Sequence, residues 1–241
     1  MLEELLYEGK AKKVFATGEE GVLLHRYKDD ATAFDGRKRG QIGGKGRTNA
    51  TMSAAIFTYL EARGVPTHFI EQVDDVSIKT KKLRMLPVEV VVRNVAAGSL
   101  AKRIGYEEGT PLKAPIVELY LKNDELGDPL LNRYHFRELG VADEDLDFCE
   151  ELGLKVNEVL APYFDEKGVM LVDFKIEIGR DESGNLMLAD EISPDTCRFW
   201  DKETGQRLDK DRFRRDMGGV EEAYAEMLRR VTEIKEREAV D

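Results

Sequence analysis

Residues 169–192 read VMLVDFKIEIGRDESGNLMLADEI, two runs rich in aliphatic side chains separated by a polar turn signal. In the first run polar and apolar residues alternate, so Asp173, Lys175 and Glu177 share one face of a strand and Phe174, Ile176 and Ile178 share the other. A reversal at Ser183-Gly184 followed by Leu186 to Ile192 predicts a β-hairpin. With a two-residue turn, Glu177 and Asp190 come opposite one another at about 5 Å. Two carboxylates so close repel unless a cation or proton lies between them, and hard oxygen ligands without histidine favour magnesium over zinc. A solvated strand face on which Lys175 bridges two acids accounts for the same pattern, so these residues alone leave both readings open.

Upstream, Lys13 to Phe15 and Val22 to Leu24 flank the turn signal Gly18 to Gly21 and predict another hairpin. A helix is expected from about Lys45 to Arg63, stopped by Gly64-Val65-Pro66. Val88 to Val92 reads as a buried strand, and Ala96-Ala97-Gly98-Ser99 opens a short helix that Ser99 can cap. Apolar residues from Leu146 to Tyr163 follow helical spacing, with Asp143 as N-cap and Gly168 as C-cap. A last amphipathic helix runs through Val220 to Val231, with a Glu226–Arg230 pair on its surface. The mixture is α+β, as one large domain or two lobes sharing a cleft.

The 241 residues carry a net charge of −11, which disfavours a nucleic-acid partner and gives weight to any place where Lys and Arg converge. Cys149 and Cys197 stand far apart in no metal-ligand or disulfide pattern, and no stretch approaches the length of a membrane span. A cytoplasmic protein is expected. His25, His68 and His135 are scattered and form no ligand pair in the sequence.

Basic residues gather in three places. Lys10 and Lys12, in Glu8-Gly9-Lys10-Ala11-Lys12, point the same way if the segment is extended. Their setting is either a phosphate contact or an exposed basic hairpin, and no Walker-type loop is present. Arg93 ends a strand just before the small-residue turn, where a guanidinium beside free N–H groups suits a phosphate; an ordinary helix start with a surface arginine is the alternative. Arg198 lies a few residues past Asp190, either packed beside Trp200 or acting as a second anion clamp, and Arg214 and Arg215 follow on a short helix.

Taken together, YEGKAK (7–12), TAFDG (32–36), PVEVVVRNVAAGSL (87–100), YLKND (120–124), LVDFKIEIG (171–179), DEISPDTCRFWD (190–201) and DKDRFRRD (209–216) resemble the SAICAR synthetases of purine biosynthesis, in order along nearly the whole chain. The resemblance implies an ATP-grasp-like, two-lobed α+β fold, divided at 1–85 and 86–241. It implies ATP-driven joining of L-aspartate to the carboxylate of carboxyaminoimidazole ribonucleotide (CAIR), through an acyl phosphate, with Mg2+ and without a side-chain nucleophile. Lys10, Ala11, Lys12 and Lys122 are then ATP contacts, and Glu177 and Asp190 the magnesium ligands. Glu89, Arg93, Ser99, Asp195, Arg198 and Arg214 contact substrate, and Lys175, Asp35 and Arg198 are catalytic. A homodimer is implied, and Cys197→Ala should stay active. A small-molecule kinase with a related ATP cleft, and a nucleotide sensor without turnover, are the competing readings.

Overall fold

Alternating side chains in the first residues already require a sheet, because such a chain can bury its apolar face only by pairing with neighbours. The computed structural model describes residues 4–33 and 36–233. Strands β1 (Glu4–Glu8), β2 (Lys12–Ala16) and β3 (Val22–Tyr27) form a meander. A small hairpin, β4 (Asp30–Ala33) with β5 (Lys38–Gln41), leads into helix α1 (Lys45–Glu61). β6 (Phe69–Asp74) and β7 (Ser77–Lys81) then complete an antiparallel sheet in the order β1-β2-β3-β7-β6.

The second sheet begins with β8 (Arg84–Val95), followed by α2 (Gly98–Ile104) and β9 (Pro111–Leu121). After β10 (Leu130–Leu131) come α3 (Arg133–Glu138), α4 (Asp143–Glu166), the long strand β11 (Val169–Arg180) and β12 (Leu186–Ala189). β13 (Cys197–Asp201), α5 (Asp211–Arg214) and α6 (Val220–Thr232) close the described chain. The order is β10-β9-β8-β11-β12, antiparallel throughout, with β13 also paired to β11. The α+β expectation holds.

One face of the second sheet carries the core. Phe174, Ile176 and Ile178 of β11 are fully buried together with Val88, Val90 and Val92 of β8, under Leu146, Cys149, Val156 and Leu160 of α4. Burial of each such side chain stabilises by about 2 kcal/mol. Helix α1 is apolar on more than one side because it packs against β3, β6 and β7 as well as α4 and α6. Its residues Ile56, Phe57 and Leu60 join the same continuous core.

Local differences from the sequence reading have plain causes. Ala142, not Asp143, is the N-cap of α4, since Asp143 is already helical and accepts from Arg137. Lys167 is its C-cap, and Gly168, at φ 71°, takes the left-handed position one residue on. Ala97 caps α2 and Ser99 lies inside the first turn, with no capping bond from its side chain.

β12 and β13 lie along the same edge of β11, one at each end. β12 pairs with Glu177 to Arg180 and β13 with Val169 to Phe174. Between them, residues 190–196 leave the ladder and return, and the Lys175 backbone N–H donates to the Thr196 carbonyl at 2.8 Å. The charged face of β11 is open at this interruption.

Candidate active site

The second face of the large sheet is polar because the register places charged residues of neighbouring strands side by side. Asp173, Lys175 and Glu177 of β11 pair with Arg93, Val91 and Glu89 of β8, and Glu118 and Tyr120 of β9 lie beyond them. This face floors a cleft of about 580 Å³, whose other wall includes Gly9, Lys10, Ala11, Lys12, Thr32 and Ala33 from the first sheet and its hairpin.

At one end three acids gather on a single ammonium. Lys175 Nζ lies 2.8 Å from Glu89 Oε1, 3.0 Å from Glu177 Oε1 and 3.6 Å from Asp190 Oδ2. Lys12 reaches the other Asp190 oxygen at 2.5 Å, and Lys122 bonds Glu177. Burial opposes ionisation of Asp190, but Lys12, Lys175 and Lys122 prevail and hold its carboxyl far below the usual range. Burial also opposes the charge on Lys175, yet Glu177, Asp190 and Glu89 raise its pKa well above that of a free lysine. Glu89 goes the other way, because burial raises it more than Lys175 lowers it.

The hairpin register differs from the sequence reading by one residue. Glu177 pairs with Ala189, not Asp190, because the reversal is longer than two residues: the Asp181 N–H donates to the Asn185 carbonyl and its Oδ1 accepts the Asn185 N–H. A regular strand in this register would turn Asp190 to the opposite face. Asp190 instead has φ 65°, a left-handed conformation that Asp tolerates better than most residues, and its carboxylate meets Lys175 on the same side as Glu177.

At the other end two guanidiniums share one acid. Arg93 Nη1 and Arg198 Nη1 each donate to Asp173 Oδ2 at 2.8 Å. Arg93 also bonds Glu118, Tyr120 and, at 3.4 Å, the Ser99 hydroxyl. Arg198 Nε donates to Asp211, which Arg214 holds from its other oxygen. Arg198 Nη2 lies against the start of α2: a Cβ on Gly98, at φ 53°, would sit 2.7 Å from it. Gly98→Ala is therefore expected to lower stability by about 1–2 kcal/mol, visible as a reduced Tm, since both the backbone and the guanidinium must shift.

Asp195 joins the cleft to the interior. It accepts from the buried Lys45 at 2.9 Å, from the Tyr224 hydroxyl and, at 3.4 Å, from Lys210. Its carboxyl is held low, since Lys210 and Lys45 outweigh the burial that opposes them. Cys197 lines the cleft, but burial pushes its thiol up, so it stays protonated and a poor nucleophile. Cys197→Ala is expected to keep wild-type kcat within about threefold.

Lys10 and Lys12 do not point the same way, because Gly9 to Ala11 forms a tight turn with the Gly9 N–H on the Lys12 carbonyl. Lys12 turns inward to Asp190, while Lys10 reaches across the cleft to Asp124 at 2.6 Å. Arg215 pairs with Glu108 at 2.6 Å and reaches Asp211 Oδ2 at 3.7 Å. Among the described residues Ser99 meets the site through Arg93, and Asp35 lies outside the described residues. Asp173, Glu118, Asp211, Lys45 and Lys210 are among the participants the sequence reading did not assign. Asp173 could have been found, since the strand alternation already puts it on the charged face.

His25 and His68 are not scattered. Their rings meet edge to face at 5.7 Å beneath the sheet, with His25 Nε2 3.2 Å from the Thr80 hydroxyl. Burial and the nearby Lys12 lower both, His68 to about 3. A histidine with a depressed native pKa takes its proton in the unfolded chain first, so its contribution is complete above 6.5 and is lost as pH falls towards about 3. His68→Phe should therefore flatten the acid limb of the unfolding free energy against pH by about 1 kcal/mol per pH unit relative to wild type, as read from denaturant melts at several pH values. Among the described residues no cluster of three His, Cys, Asp or Glu side chains is arranged to hold a metal, and no helix is long and apolar enough to cross a membrane.

The chain is similar to known proteins in both sequence and structure. Residues 5–231 match the family model of SAICAR synthetase. The phosphoribosylaminoimidazole-succinocarboxamide synthase of Desulfitobacterium hafniense (strain Y51) is 59% identical over 96% of this chain and 97% of its own. That of Deinococcus deserti is 57% identical over 95% and 98%. Among solved structures, a SAICAR synthetase (Type-2) in complex with ADP superposes with a TM-score of 0.91 at 53% identity, covering 94% of this chain and 97% of that one. The Ehrlichia chaffeensis phosphoribosylaminoimidazole-succinocarboxamide synthase gives a TM-score of 0.93 at 43% identity, covering 96% and 99%. The chain belongs to the SAICAR synthetase family, ATP-dependent ligases of purine biosynthesis.

Proposed function

We propose that this chain joins L-aspartate to the carboxylate of CAIR at the expense of ATP, releasing SAICAR, ADP and phosphate, through an acyl phosphate. The observation that carries the reading is the polarity of one sheet face, with carboxylates gathered on lysines at one end and two arginines on Asp173 at the other. The reaction needs both kinds of site, because a polyphosphate and a phosphorylated acid must be held together against their mutual repulsion.

In this assignment Lys10, Ala11, Lys12 and Lys122 receive the ATP phosphates, consistent with the ADP complex of the structural relative. Glu177 and Asp190 fit Mg2+: both side chains are largely buried, both supply hard oxygens, and both already converge on the ammonium of Lys175. Two carboxylates suffice because magnesium keeps water and phosphate oxygens as its remaining ligands. When bound, the ion supplies charge neutralisation at the transferring phosphoryl group. Lys175 and Glu89 then orient the acceptor carboxylate, and Lys175 offsets the charge it gains. Arg93, Ser99 and Arg198 receive the phosphate of the ribonucleotide, with Asp195, Arg214 and Asp35 around the acceptor and the amine. The same reading includes an ATP-grasp-like cleft between lobes 1–85 and 86–241, a homodimer, and a cytoplasmic setting.

A coupled ADP-release assay with ATP, CAIR and L-aspartate, each omitted in turn, tests this. Sustained release is expected only with all three present. Release that continues undiminished without L-aspartate would reject the ligase in favour of a kinase.

A further inference from the structure

Several acids of the cleft are held by cations that line the same cleft. Lys175 takes Glu89 and Glu177, Lys12 takes Asp190 and Glu191, and Arg93 and Arg198 take Asp173. Glu191 is also held from behind, where the uncharged Asn49 and Ser193 share one of its oxygens. Asp195 differs, because a charged group holds it from the side away from the cleft. Lys45, with no exposed side-chain surface, lies 2.9 Å from its Oδ2, and the hydroxyl of the buried Tyr224 donates to its Oδ1. Lys210 meets the same carboxylate from the cleft side at 3.4 Å.

Both rear partners are themselves fixed by packing. Lys45 stands in the first turn of α1 between Gly44 and Gly46, whose N–H groups both donate to the Asp29 carboxylate. A Cβ on Gly46 would come 2.9 Å from the Tyr27 carbonyl oxygen, so glycine lets this turn lie against the end of β3 and send Lys45 inward. The ammonium also donates to the Lys28 carbonyl at 3.1 Å. Tyr224 projects from α6 into a small cluster with Ala31, Ile42 and Phe213, and Glu221 of the same helix accepts the Gly43 N–H. The two side chains therefore reach Asp195 from segments already tied to one another.

We propose that Lys45 and Tyr224 are positioning residues of the ligase reaction: they stay behind the cleft wall and set the direction in which Asp195, and through it Lys210, face the acceptor and the amine. This rests on the placement of Asp195 in the ligase reading above. A fully enclosed ion pair adds little net stability over apolar residues of the same shape, because removing both ions from water offsets their attraction. What it supplies here is orientation. With Oδ2 on Lys45 and Oδ1 on Tyr224, the carboxylate cannot rotate, and the Lys210 ammonium that meets it is held as well. The Lys210 backbone is anchored to the same loop, its N–H on the Pro194 carbonyl. Substrate entering the cleft can displace neither rear partner.

Tyr224→Phe, Lys45→Met and Asp195→Asn in the full chain, singly and combined, decide the matter when ADP release with ATP, CAIR and L-aspartate is measured beside a thermal melt. Tyr224→Phe removes one hydroxyl and keeps the ring, so the fold persists with a Tm lower by about 5 °C. Its kcat should fall about tenfold while the KM for ATP stays within about threefold of wild type. Lys45→Met should lose about 10²-fold in kcat. Val231→Ala, a buried position on the same helix, should lower Tm about as much as Tyr224→Phe and leave kcat within about twofold. In the Asp195→Asn background, adding Tyr224→Phe should change kcat by less than about twofold, since the charged group it orients is gone. Wild-type kcat in Tyr224→Phe or Lys45→Met, the same tenfold loss in the Asp195→Asn background, or an equal kcat loss in Val231→Ala would each overturn the proposal. If Asp195→Asn keeps wild-type turnover, or the wild-type chain forms no SAICAR, the placement of Asp195 or the ligase reading fails and the proposal falls with it. An active wild type, a crippled Asp195→Asn and an unaffected Tyr224→Phe overturn the proposal alone.

Discussion

Asp190→Asn is expected to lower kcat/KM by about 10³-fold and to remove most of the dependence of nucleotide binding on magnesium. The substitution isolates charge from shape. Asn, like Asp, accepts the left-handed backbone, so φ 65° at this position survives the change. What is lost is the anion that Lys12 and Lys175 hold ionised against burial. Among the described carboxylates Lys12 then keeps Glu191, at 3.6 Å, and stability should fall by about 2 kcal/mol. Titrating ADP with and without Mg2+ gives the check. If magnesium strengthens ADP binding in the variant as much as in wild type, Glu177 and Asp190 are not its ligands.

How far the sequence determined this site depends on which interactions are local. Alternation along β11 is a property of consecutive residues, so the shared face of Asp173, Lys175 and Glu177 follows directly from the chain. Hairpin register is set by the geometry of a turn, and the Asp181–Asn185 interactions make that turn longer than Ser183-Gly184 alone suggests. Asp190 nevertheless meets Glu177 on one side, because a single left-handed residue cancels the one-residue slip. Both acids thereby reach one ammonium, Lys175, by a route the pairing arithmetic did not contain. Other participants have no local signature at all. Glu118 joins through β9, and Lys45 reaches Asp195 from the first turn of α1, contacts that exist only once distant segments pack. The two buried histidines meet for the same reason, on strands and loops far apart in the chain.

Arg198→Ala is expected to abolish turnover to within about 10³-fold of background while leaving ATP affinity within about threefold of wild type. The asymmetry follows from position. Arg198 bonds Asp173 and Asp211, whereas the lysines assigned to ATP bond Asp190, Glu177 and Asp124. Its removal leaves Asp173 with Arg93 and Asp211 with Arg214, so neither acid is stranded, and a stability loss of about 2–3 kcal/mol is expected rather than collapse. Arg198→Lys restores a positive charge but not the planar fork that contacts two acids and lies against Gly98; it should recover most of the stability and little of the turnover. Calorimetric titration of ATP and CAIR beside a thermal melt separates these effects. A parallel fall in both affinities would mean that the two ends of the face are not separate sites. Unchanged turnover would remove Arg198 from the mechanism, and a wild-type chain that binds ATP yet turns nothing over would be a sensor.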